Sequence, residues 1–171
     1  MVNQLWAPWR MEYILASKQA GCFLCDAAQA EVDKDHLVLQ RRQHTFTLLN
    51  RYPYTNGHCM TVPYRHISEL SDLTDAEQLE LMQATRDCVT ILRQTMGIHG
   101  ANVGINLGEA AGAGLAEHLH IHIVPRWQGD TNFMPVMADT RVMPQSLLDT
   151  YDQLLPAFQI DGPQPLEPPC A

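Results

Sequence analysis

Between Ala116 and Trp127 the chain reads AEHLHIHIVPRW, so that His118, His120 and His122 alternate with Leu119, Ile121 and Ile123. A period of two is the period of an extended strand, which sends the imidazoles to one face and the aliphatic side chains to the other. The aliphatic face has to close a core, so the strand belongs in a sheet with a covered hydrophobic side. The imidazole face is harder to place. A solvated polar face is the plain reading, but such a face is seldom all histidine, and clustered imidazoles neither protonate together cheaply nor tolerate burial without partners. Two chemical readings stay open: three histidines binding a catalytic metal, or one nucleophile oriented by its neighbours.

The rest of the chain supplies the sheet. HLVLQ (36–40) and TFTLLN (45–50), separated by the basic RRQH turn, predict a hairpin, and Pro53 with the Asn56-Gly57 pair turns the chain into a third strand, CMTVP (59–63). Thr74 and Glu77 have capping-box spacing, and Leu79, Met82, Val89, Leu92 and Met96 recur at helical intervals until Gly97, which predicts one long helix. ANVGIN (101–106) and HLHIHIV (118–124) predict further strands around the glycine-rich LGEAAGAG loop. SLLDTYDQLLPAF (146–158) predicts a C-terminal helix interrupted late by Pro156. The fold class is therefore α+β: an antiparallel sheet with one long helix and a C-terminal helix. Residues 1–158 form one domain, and the proline-rich 159–171 is expected to be disordered. No linker separates two large domains, so a second active site would have to come from a second copy of the chain.

Length and charge narrow the partners. At 171 residues, 46% hydrophobic and 18% charged, the chain reads as a soluble globular domain, and no apolar run approaches membrane-span length. A net charge of -8 is wrong for gripping a long nucleic acid, although a small nucleotide in a local pocket remains compatible with it. The opening MVNQLWAPWRMEY lacks a secretory pattern, so the expected compartment is the reducing cytoplasm. There, five cysteines with Cys22 and Cys25 in GCFLC suggest metal or redox chemistry more than a disulfide framework. Cys22 and Cys25 have the spacing to grip one zinc ion, which needs two further ligands. A redox pair and two inert buried thiols are the competing readings. Cys59, Cys88 and Cys170 show no connection to that pair. His58 is an alternative metal ligand or packs at the Asn-Gly turn, and His36, His44 and His99 read as surface residues.

The loop NLGEAAGAG, upstream of the histidines, can present several backbone N–H groups, and its small side chains admit an anionic group closely. A neutral imidazole is a good nucleophile toward phosphorus, and charge stabilisation, the demanding part of phosphoryl chemistry, would come from that loop.

HLHIHIV resembles the His-φ-His-φ-His-φ-φ signature of the histidine-triad (HIT) superfamily of nucleotidyl hydrolases and transferases. LLNRYPYTNGHCMTVPYRH is similar to that family's ribose-binding strand pair and INLGEAAGAG to its phosphate loop, so the resemblance covers roughly residues 21–126. The flanks LWAPWRMEYI and VPRWQGDTNFMPV resemble the diadenosine tetraphosphate phosphorylase-like branch.

The resemblance implies a HIT-like fold, a homodimer, a nucleotide substrate such as diadenosine tetraphosphate, and no organic cofactor. Within the catalytic triad of His118, His120 and His122 it makes His120 the nucleophile that forms a nucleotidyl-histidine intermediate. It places His122 beside the nucleotide's phosphate or ribose, Asn50 on the ribose hydroxyls, Asn106 near the α-phosphate, and Gly112, Ala113 and Gly114 as backbone phosphate contacts. Zinc-containing relatives imply a structural zinc on Cys22, Cys25, His66 and His118. Water or inorganic phosphate would release the nucleotide; diadenosine polyphosphate phosphorolysis is the leading reading. Hydrolysis of dinucleoside polyphosphates or phosphoramidates, or a non-catalytic nucleotide-binding module, are the rivals. The chain departs from the family pattern in its AGAG step, where Ala113 offers no side-chain donor, and in a loop one residue longer between Asn106 and His118.

Near the N-terminus Trp6, Trp9 and Arg10 are expected to dock on the core. Trp127 would border the nucleotide pocket, Arg126 would face phosphate or an acidic neighbour, and GDTNFMPV would complete a second nucleotide's site.

Overall fold

The computed structural model describes residues 21–130 and 143–160. Its elements run α1 (Phe23–Gln29), β1 (Val38–Arg41), β2 (Thr45–Leu49), β3 (Cys59–Pro63), α2 (Asp75–Met96), β4 (Gly100–Ile105), β5 (Ile121–Arg126) and α3 (Leu147–Ile160), with short 3-10 turns between. The five strands form one antiparallel sheet in the order β1-β2-β3-β5-β4, as the α+β reading expected.

Both faces of the central strands are covered, which is why β2 and β3 are buried along their whole length. On one face Phe46, Leu48, Met60 and Val62 pack with Val38 against Leu24 and Ala27 of α1. On the other, Leu49, Cys59 and Ile123 pack against Cys88, Ile91 and Leu92 of α2 and Tyr151, Leu154 and Phe158 of α3. Tyr151 is anchored further by donating its hydroxyl to the Val38 carbonyl at 3.0 Å. β4, at the sheet's edge, keeps residues 102–104 exposed.

The capping box forms as the Thr74 and Glu77 spacing predicts, and Gly97 ends α2 in the left-handed conformation. The buried stripe differs from the expected one. Leu81, Ala84, Thr85, Cys88, Ile91 and Leu92 face the sheet, whereas Leu79 and Met82 are 62% and 61% exposed. The true stripe includes small and polar members: Thr85 donates to the Leu81 carbonyl at 2.8 Å and meets Thr61 Oγ1 at 3.0 Å. Counting only large apolar side chains overlooks them.

Pro156 does not interrupt α3, which continues to Ile160, two residues into the expected tail. Its ring is exposed, so the missing backbone N–H falls on the solvent side while Thr150, Tyr151, Leu154 and Phe158 hold the buried side. The histidine strand also starts later than expected: β5 begins at Ile121, and His118 and His120 lie in the irregular segment leading into it. Trp6, Trp9, Arg10, most of GDTNFMPV and the tail from Asp161 lie outside the described residues.

Candidate functional site

β3 and β5 pair with Met60 opposite His122, and β4 and β5 with Gly104 opposite His122, so the imidazole face looks out beside the α1 side of the sheet. Just before β5 the backbone is held by Leu119 N–H donating to the Ile67 carbonyl at 2.6 Å. That segment's departure from strand geometry lets His120 Nδ1 turn back to the His118 carbonyl at 2.7 Å. A carbonyl only accepts, so the His120 proton sits on Nδ1 and Nε2 carries a free lone pair. Burial lowers the His120 pKa, which keeps that lone pair available at neutral pH.

The tautomer of His122 is set by a residue absent from the predicted site. His58 is fully buried, with Nε2 3.0 Å from His122 Nδ1. Its own Nδ1 accepts from the Tyr54 N–H at 3.1 Å and lies 3.3 Å from Asn50 Nδ2. The Asn50 amide is oriented by its carbonyl, which accepts the Tyr52 N–H at 2.9 Å. With Nδ1 engaged as an acceptor, His58 carries its proton on Nε2 and donates it to His122 Nδ1. His122 therefore presents its own proton on Nε2. Burial, then the imidazoles of His122 and His120, lower His58 to about 3, and burial followed by His120 lowers His122 to about 4. The signal for His58 was positional: it lies two residues before Met60, on the face that Met60 shares with His122. Gly57 fixes the approach, since its φ is +73° and a Cβ there would come 2.6 Å from the Met96 sulfur.

His118 points elsewhere. Its Nε2 is 3.0 Å from the Pro63 carbonyl, which makes Nδ1 the lone-pair nitrogen. That nitrogen lies 3.2 Å from Cys22 Sγ and 3.5 Å from Cys25 Sγ, while His66 Nδ1 lies 3.2 Å from Cys25 Sγ. All four ligand atoms fall within 4.8 Å of one another. A tetrahedron with bonds of ~2.0–2.3 Å separates its ligands by about 3.3–3.8 Å, so these residues fit one metal ion. Burial, then the adjacent Cys22 thiol, raises Cys25 to about 11, the opposite direction from the lowered thiol a redox motif uses.

The ligands arrive from separate elements: Cys22 caps α1, Cys25 is in its first turn, His66 follows β3 and His118 precedes β5. Arg41 steadies α1 by donating to the carbonyls of Ala27 and Ala28 at 2.8 Å and Ala30 at 3.2 Å. Arg65, next to His66, is held bidentately by Glu77 at 2.7 and 2.6 Å; that bond, more than any other contact, lowers Glu77 to about 2.

A cavity of about 930 Å³ opens beside His122. Asn106, Gly112, Trp127 and Arg126 line it as the sequence suggested, together with Ala111, Tyr54 and Asp130 from segments it pointed to without singling those residues out, and with Asn102, which it did not. Ala113 and Gly114 continue the loop without lining this wall, and Asn50 lies behind His58 at the end of β2. Arg126 faces an acidic neighbour: its Nε and Nη2 donate to Asp130 at 2.6 and 2.9 Å. The Tyr54 ring packs tilted against His58, with ring centroids 4.9 Å apart.

The comparisons agree with this geometry. The sequence profile of the HIT domain matches residues 31–129. The chain is 43% identical over 157 residues to the AP-4-A phosphorylase of Mycobacterium tuberculosis, across 87% of this chain and 80% of that one. It is 30% identical over 93 residues to the asymmetrical bis(5'-nucleosyl)-tetraphosphatase of Schizosaccharomyces pombe, covering 54% and 50% of the two chains. A zinc-bound histidine triad family protein from Mycobacterium smegmatis superposes with a TM-score of 0.64 at 20% identity, over 80% of this chain and 91% of that one, which speaks to the fold.

Proposed function

From a chain that belongs to the HIT domain family, we infer an enzyme that cleaves the phosphoanhydride of diadenosine polyphosphates through a nucleotidyl-His120 intermediate, with inorganic phosphate as acceptor. The observation that carries this reading is the 2.7 Å bond from His120 Nδ1–H to the His118 carbonyl, which leaves Nε2 free to attack phosphorus. His122 donates from Nε2 to a phosphate oxygen. Asn106 and the backbone N–H groups of Gly112, Ala113 and Gly114 receive the phosphate charge. Asn50 uses the second lone pair of its oriented carbonyl for a ribose hydroxyl. A catalytic ion shared by three histidines is disfavoured, because His118 turns both ring nitrogens away from the triad, one to Pro63 and one to sulfur.

The metal in our reading is zinc, held by Cys22, Cys25, His66 and His118 as a closed structural site. It pins α1 to the segment whose carbonyl orients the nucleophile, and takes no part in bond making. The chain acts in the cytoplasm as a homodimer, without an organic cofactor, a membrane or a long nucleic acid.

Turnover of diadenosine tetraphosphate with and without phosphate, resolved by chromatography, tests the reading. ADP plus ATP formed with phosphate supports it, and AMP plus ATP regardless of phosphate makes the chain a hydrolase. His120→Asn should abolish turnover while nucleotide binding survives; unchanged function in that variant would favour a binding module instead.

A further inference from the structure

The four side chains of the metal cluster are not equally covered. His118 is buried, Cys22 and Cys25 are half-buried, and His66 is exposed. His66 is also shared with a second cleft, of about 440 Å³, lined by residues 66–69, Asp72, Ala116 and Glu117. Its walls are the segment that follows β3 and the segment that precedes β5, which carry His66 and His118. The Leu119 N–H ties the two walls together by donating to the Ile67 carbonyl at 2.6 Å.

The lining of this cleft is anionic. Glu69, Asp72 and Glu117 are all exposed, and no Lys or Arg among the described residues forms an ion pair with them. Arg65 comes near, donating to the Asp72 carbonyl at 2.6 Å. Its carboxylate partner, however, is Glu77, which it meets at 2.7 and 2.6 Å and which cancels its charge. None of the three carboxylates belongs to the four-ligand cluster, which is complete without them as two sulfurs and two imidazoles.

We propose that this cleft is the entrance to the metal site: Glu69, Asp72 and Glu117 draw a hydrated divalent cation to His66, the ligand that opens first, and so make the bound zinc exchangeable in the folded chain. The proposal rests on the zinc reading above and adds how the ion enters and leaves.

Charge decides what the carboxylates do. The ion arrives doubly positive, and Cys22 and Cys25 give up their two thiol protons to solvent as the sulfurs bind it. Two thiolates and two neutral imidazoles around a divalent ion leave the finished site with no net charge. The carboxylates therefore act strongly on the ion in transit and weakly on the ion once bound. Entry and exit are accelerated together, and occupancy at equilibrium stays the same. A field of this kind raises the arrival rate of a charged ligand by about 10–10³-fold. Salt removes it, because the Debye length falls from ~30 Å at ~0.01 M to ~3 Å at ~1 M.

The test follows zinc exchange in the full-length holoprotein. The chain loaded with one zinc isotope is mixed with a small excess of another, and the isotope ratio of the desalted protein is read against time. The comparison is the triple variant Glu69→Gln, Asp72→Asn, Glu117→Gln, whose exposed amides leave the packing untouched. It should exchange at least ~10-fold more slowly than wild type at ~0.01 M salt and within about twofold of it at ~1 M, with its zinc content unchanged. Equal rates at low salt, or a slowing that salt does not remove, overturn the proposal. Loss of zinc from the triple variant would make the carboxylates ligands and overturns it too. So does an equal slowing in Asp26→Asn, whose charge acts on Cys25 instead. A wild-type protein without zinc removes the site together with its entrance, whereas unchanged exchange removes the entrance alone.

Discussion

At the scale of single residues, proton placement organises the site. Three imidazoles have their tautomers assigned by neighbours that can only donate or only accept: the Pro63 carbonyl for His118, the His118 carbonyl for His120, and His58 for His122. The alternating histidines were legible in the sequence as a local pattern of period two, and Asn106 entered through the resemblance of the glycine-rich loop that it precedes. His58 was read only as a turn residue or a spare ligand, since its partner His122 is 64 positions away and nothing local announces the contact. Its burial has a pH consequence. Folded His58 and His122 sit near about 3 and about 4, against about 6.5 in an unfolded chain. Below pH ~6.5 the unfolded state binds protons that the native state refuses, so this stability is complete above that value and is lost as pH falls toward 4 and then 3. Calorimetry should show the midpoint temperature falling across that window, with a shallower fall in His58→Leu. Equal slopes in the two proteins would remove His58 as a source of the effect.

At the scale of elements, what covers a face decided what the pattern alone could not. Leu79 and Met82 repeat at helical spacing yet point outward, because α2 docks through Thr85, Cys88 and their neighbours. Pro156 stays inside α3, because a missing N–H on the solvent side costs less than giving up the packing of Leu154 and Phe158. α1 shows the opposite dependence. Seven residues are too short to be helical alone, and its two ends are tied by Arg41 and by the Cys22, Cys25, His66 and His118 cluster. Metal analysis should find one zinc per chain, and Cys22→Ser with Cys25→Ser should lose it together with hydrogen-exchange protection of residues 23–29 and most turnover. Retained metal in that double variant would place the ion elsewhere.

At the scale of the whole molecule, β4 leaves the sheet's last edge uncovered by any described element, with Val103 48% exposed and neither Pro nor charge in GANVGI to discourage pairing. A second copy across that edge would continue the sheet and bring two cavities onto one surface. Light scattering should therefore report the mass of two 19.3 kDa chains, and Val103→Lys should yield the monomer. A wild-type monomer would reject the homodimer.

The sequence by itself determined the class of fold, the alternating histidine run and the Cys22–Cys25 pair, because alternation, capping and Cys-x-x-Cys spacing act over a few residues; His66 and His118 entered the metal cluster only through the family resemblance. Only the tertiary structure decided which nitrogen of each histidine is free, that His58 holds His122, and that His118 turns from the triad toward sulfur. Those outcomes depend on where a carbonyl or an amide from a distant segment comes to rest, and hydrogen bonds of that kind leave no periodic trace in a chain.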